Sequence, residues 1–115
     1  MERVQISAMA VPSAERFTKR VCFSDPQVLV FTLTFAPGQT LPAHKHPGST
    51  VVLHVHTGAG VVSNGEREET VTSGDVLLVT AEEELGVRNT GTETLVLLVS
   101  LSPNPTNPAY SKNLG

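Results

Sequence analysis

Alternation with a period of two constrains this chain more than any other feature of its sequence. In residues 27–36 (QVLVFTLTFA), Val28, Val30, Thr32 and Thr34 fall on one side and Leu29, Phe31, Leu33 and Phe35 on the other. β-Branched and aromatic residues dominate, so the segment reads as a strand, ended by Pro37-Gly38. Residues 50–56 (TVVLHVH), 76–80 and 94–101 read the same way, and 85–89 as a short extended piece. Gly58-Ala59-Gly60 interrupts the second strand, 61–63 continue it, and 66–72 return. Asn64-Gly65 predicts a two-residue type I′ hairpin, in which both residues need positive φ. Helix is expected only in residues 13–20, with Ser13 as N-cap, while Glu82-Glu83-Glu84 is too short for more than a turn. Turn signals spaced by about 8–12 residues are those of an all-β sandwich or barrel.

With 115 residues the chain is expected to be a single domain, 1–115. Its centre is residues 27–101, with an N-terminal arm (1–26) and a C-terminal tail (102–115) whose prolines predict an extended or disordered segment, or one lying over a neighbouring subunit. The net charge is −3 and the eight Lys and Arg are scattered, which argues against nucleic acid as partner. No apolar run approaches the length of a membrane span, and the N-terminus lacks the apolar stretch of a signal peptide. A lone Cys22 precludes an internal disulfide and fits a reducing compartment, so a cytoplasmic location is expected.

All four histidines lie in two His-x-His pairs, His44/His46 and His54/His56. Side chains two apart on a strand point the same way, about 7 Å apart along the chain. Their imidazoles can converge on one ion at M–N distances of about 2.0–2.1 Å. The alternative is that one pair ligates and the other is structural or merely exposed.

The segment Gly38-QTLPA-His44-K-His46-PGSTVVLHVHT-Gly58 resembles the first motif of the cupin family, and Gly74-DVLLV-Thr80-A-Glu82-EE-Leu85-GVR-Asn89 resembles the second. The resemblance spans residues 27–101. It implies a double-stranded β-helix, or jelly-roll barrel, of about 8–10 antiparallel strands. Of the family's four usual ligand positions, only His44 and His46 carry over. The acidic ligand falls on Thr50 or Val51, and the second-motif histidine on Leu85.

A replacement is available in one of two registers. If Thr50, Val52, His54 and His56 line the hollow, His54 supplies a third ligand and His56 a lower-ranked fourth. If Val51, Leu53 and Val55 face inward instead, His54 and His56 lie outside, at a possible subunit contact. The first register is favoured, giving a metal site of His44, His46, His54 and His56 for a divalent Fe, Ni, Cu or Zn ion. Thr50 and Arg88 are then candidate orienting groups, Arg88 having a surface ion pair as its ordinary reading.

Two functions follow. One is a metal-binding enzyme acting as an oxygenase, isomerase or lyase on a small molecule. The other is a non-catalytic module that binds or senses a small ligand without metal. A homodimer is expected in either case, since a small two-sheet fold leaves edges and an outer face uncovered.

Overall fold

A computed structural model describes residues 1–115 and turns the alternating segments into nine strands. These are β1 (Thr18–Ser24), β2 (Leu29–Phe35), β3 (Thr40–Lys45), β4 (Thr50–Thr57), β5 (Ala59–Ser63), β6 (Glu68–Thr72), β7 (Val76–Val79), β8 (Glu84–Arg88) and β9 (Leu95–Ser102). One sheet has the order β1-β2-β9-β4-β7 and the other β3-β8-β5-β6. Every pairing is antiparallel. After β2 the chain crosses between sheets at each step except the β5–β6 hairpin, which is the wiring of a jelly roll. The all-β expectation therefore holds, with two facing sheets and a strand count inside the expected range.

The core forms where the inward sides of the two sheets meet. Leu29, Phe31, Leu33 and Phe35 of β2 are all buried, as the alternation requires. They pack with Leu95, Leu97, Val99 and Leu101 of β9, and with Val51, Leu53 and Val55 of β4. Val62, Val71, Leu85 and Val87 close the core from the second sheet. Each such side chain contributes about 1.5–3 kcal/mol through removal from water. Gly58 joins β4 to β5 at φ +87°, where a Cβ would sit 2.4 Å from the Thr94 carbonyl oxygen. Only glycine meets both conditions.

Four local expectations change. Residues 13–20 are not a helix. The chain bends there and enters β1, and the helical turn lies earlier, at Ile6–Met9 (α1). Strand pairing with β2 satisfies backbone groups that a lone helical turn would leave to water. Residues 40–45 form β3, where the sequence pattern predicts no strand; Pro42, lacking an N–H, lies where its pairing with β8 slips between Leu41 and His44. The β5–β6 loop spans Asn64 to Arg67, since Ser63 pairs with Glu68. Only Gly65 there has positive φ, and the Asn64 side-chain oxygen instead accepts from the N–H groups of Glu66 and Arg67. Finally, the tail folds back onto its own chain: Leu114 exchanges both backbone hydrogen bonds with Lys19, at 2.9 and 3.1 Å.

Candidate ligand cavity

Pro42 interrupts β3 and its carbonyl holds His44, whose Nδ1 lies 2.9 Å from that oxygen. A carbonyl can only accept, so Nδ1 is the donor of this bond. His44 stands opposite Leu85 of β8 in register. His46 follows just after β3, in a turn closed by Ser49 N–H donating to the His46 carbonyl at 3.1 Å. The His44 and His46 rings lie 4.6 Å apart, centroid to centroid. His46 is only 6% exposed, and its buried Nδ1 has no hydrogen-bond partner. Its pKa is pushed down to about 4, first by burial and then by the neighbouring His44 and Lys19.

Both rings border a cavity of about 320 Å³. β1 and β2 form one wall and β3 and β8 another, so the hollow opens between the two sheets at one end of the fold. Eight of its twelve lining residues are hydrophobic, and none is acidic. Phe17, Phe31, Leu33, Leu41 and Leu85 are among its apolar lining, and the tail contributes Asn107, Ala109, Tyr110 and Leu114.

Lys19 is the cavity residue that sequence reasoning misses. It is 6% exposed and lines the cavity. Its ammonium donates to the Tyr110 carbonyl and lies 4.5 Å from the centre of the Phe31 ring. Burial lowers its pKa. A signal for its position exists: Phe17, Lys19 and Val21 are two apart, so a strand there turns Lys19 to the same side as two apolar residues.

The second histidine pair is elsewhere. Val51, Leu53 and Val55 are the inward residues of β4, so His54 and His56 lie half-buried on the outer face of the five-stranded sheet. The favoured register is thus reversed. Burying three apolar side chains in an apolar core outweighs lining the hollow with two imidazoles. The His54 and His56 rings are 6.5 Å apart, beside exposed Val52, Val76 and Leu78. Neither proposed orienting group reaches the cavity: Thr50 is exposed, and Arg88 pairs with Glu68 at the surface. Asn89 is buried and structural, its amide donating to the Phe35 and Glu93 carbonyls at 2.9 Å each.

The donor set does not fit a metal held by protein ligands alone. Leu85 stands across from His44, Val51 is in the core, and the nearby charged group is an ammonium, which repels cations. No three His, Cys, Asp or Glu side chains come together in a metal-holding group.

Fold and cavity define a jelly-roll protein with a small, largely apolar hollow between its sheets. A cupin-domain family profile matches residues 31–101. The chain is similar to TT1209 from Thermus thermophilus, with 30% identity, 91% of this chain and 100% of that one covered, and a TM-score of 0.86. It also resembles an RmlC-like cupin protein from Desulfovibrio desulfuricans (24% identity, 90% and 92% covered, TM-score 0.72). A third similar structure, described as a predicted oxalate decarboxylase from Thermotoga maritima, has 22% identity, 75% and 79% coverage and a TM-score of 0.70. Likeness at the identity of these last two shows the fold alone. No curated protein matches. The chain belongs to the cupin family. No helix in it is long and apolar enough to cross a membrane.

Proposed function

We propose that this protein binds a small, largely apolar organic molecule in the cavity between its sheets, using His44, His46 and Lys19 as polar contacts and requiring no resident metal. The observation that carries this reading is a hollow of about 320 Å³ with apolar walls, into which an ammonium and two imidazoles converge without an acidic residue. That volume is at the small end of the roughly 300–1,000 Å³ range of ligand sites. The test is thermal unfolding with EDTA present, across a panel of small organic molecules. A binder at a hundredfold its Kd raises stability by about 2.7 kcal/mol. A panel that binds only after Zn²⁺ or Fe²⁺ is added contradicts the reading.

A second reading keeps the metal and, with it, oxygenase, isomerase or lyase chemistry. The 4.6 Å separation of the His44 and His46 rings favours it, since two imidazoles so placed can chelate one divalent ion. Elemental analysis of untagged protein tests it: near-stoichiometric metal, lost in His44→Ala, supports it, and near-zero metal counts against it.

A second copy of the chain is the proposed cover for the outer face of β4 and β7. Val76 and Leu78 there are 64% and 63% exposed, and His54 and His56 adjoin them. Cys22, whose thiol burial pushes up, is a quiet thiol in keeping with the cytoplasm.

A further inference from the structure

We infer that the cavity's ligand is an organic monocarboxylate, with Lys19 Nζ as counter-ion to its carboxylate and the Phe17, Phe31 and Leu41 side chains holding its apolar body. The inference rests on reading the cavity as a ligand site and adds the chemical class of the ligand.

A lysine this deeply buried ordinarily has a carboxylate partner. Lys19 has none: the ion pairs of the fold are Arg67–Glu69 and Arg88–Glu68, both at the surface, and no acidic residue lines the cavity. An ammonium has three donors, and only one is used, on the Tyr110 carbonyl. The faces of Phe31 and Tyr110, 4.5 and 6.0 Å from Nζ, favour the charged form but accept no strong hydrogen bond. Donors therefore remain on a side chain only 6% exposed, where a charge-assisted bond is strong.

His46 borders the same cavity. Its Nδ1 is buried out of a ligand's reach, so both carboxylate oxygens are left to the unused donors of Lys19. The Nδ1 of His44 is already bonded to the Pro42 carbonyl. One ammonium with donors to spare and no arginine suit a single carboxylate. The apolar walls suit a hydrocarbon chain or ring attached to it.

Titration calorimetry at neutral pH with EDTA tests this, using hexanoate and phenylacetate, each against its amide and its alcohol. Each carboxylate is expected to bind about tenfold or more tightly than its amide. In Lys19→Met the ratio falls to within about threefold, and in Lys19→Arg much of it returns. His54→Ala leaves it unchanged. The wild-type ratio needs no variant, so a poorly folding Lys19→Met does not weaken the test. Amides or alcohols binding as tightly as the acids overturn the inference while leaving the cavity as a ligand site. Failure of all six probes at millimolar concentration overturns both.

Discussion

His46 sets an acid limit on the stability of this protein. Its folded pKa is about 4 against 6.5 for the free side chain, because burial and the adjacent His44 and Lys19 disfavour the imidazolium. Between those values the unfolded chain binds a proton that the folded chain refuses, so unfolding gains free energy as pH falls. The folded state is at no disadvantage above about pH 6.5, loses stability progressively below it, and has lost the full amount near pH 4. At about 1.36 kcal/mol per unit, the ceiling is about 3.4 kcal/mol. Water at the open mouth of the cavity reduces this to about 2–3 kcal/mol. Glu83, held low chiefly by the Thr80 backbone N–H and the Asn64 amide, loses its own contribution as pH falls through its folded pKa and pushes the same way. A variant must therefore separate the two. His46→Gln keeps a polar side chain that does not titrate, and leaves Glu83 as it was. Urea unfolding of both proteins, with EDTA, from about pH 7.5 to about pH 4.5 supplies the comparison. The wild type is expected to lose about 2–3 kcal/mol more than His46→Gln across that window. Parallel curves would show that His46 protonates in the folded state as easily as in the unfolded one, and the account of a buried, unpartnered imidazole would be wrong.

Other perturbations test neighbouring parts of the account. Gly58→Ala combines positive φ with a Cβ 2.4 Å from the Thr94 carbonyl oxygen, and should destabilise the fold by about 2–3 kcal/mol or more in urea unfolding. Leu53→Ala, at a fully buried position of β4, should cost about 2–5 kcal/mol, whereas truncating His54 next to it should change stability little, by about 0.5 kcal/mol or less. Leu85→His places an imidazole across from His44 and should convert the pair into a three-nitrogen site; competition with a chromophoric chelator would then report Zn²⁺ uptake that the wild type lacks or shows only weakly. Leu78→Lys, in the middle of the exposed apolar stripe, should move sedimentation toward the monomer, and an unchanged profile would remove that face as the subunit contact.

The parts of the fold legible in the sequence are those where one physical demand dominates. β2, β4 and β9 carry uninterrupted apolar alternation, and they form the buried centre of the five-stranded sheet. β1 and β3 are harder because they border the cavity and the sheet edge. β1 carries a buried lysine, and β3 carries a proline and three polar residues, so neither shows a clean apolar face. The histidine pairs illustrate the same point. His44 and His46 are readable because family spacing and a nearby turn place them at the hollow. The facing of His54 depends on whether a polar cavity or an apolar core claims β4, and Val51, Leu53 and Val55 decide that in favour of the core. Lys19 and Tyr110 meet across 91 positions of sequence, a contact that no local pattern announces.

The central claim is that one histidine pair faces a ligand cavity and the other lies outside it. Two-dimensional NMR of isotopically labelled protein, titrated with hexanoate in the presence of EDTA, tests it most directly. Saturable shifts are expected at Lys19, His44, His46 and Leu85, with His54 and His56 unmoved. Shifts centred on His54 and His56, or none until a divalent metal is supplied, would contradict it.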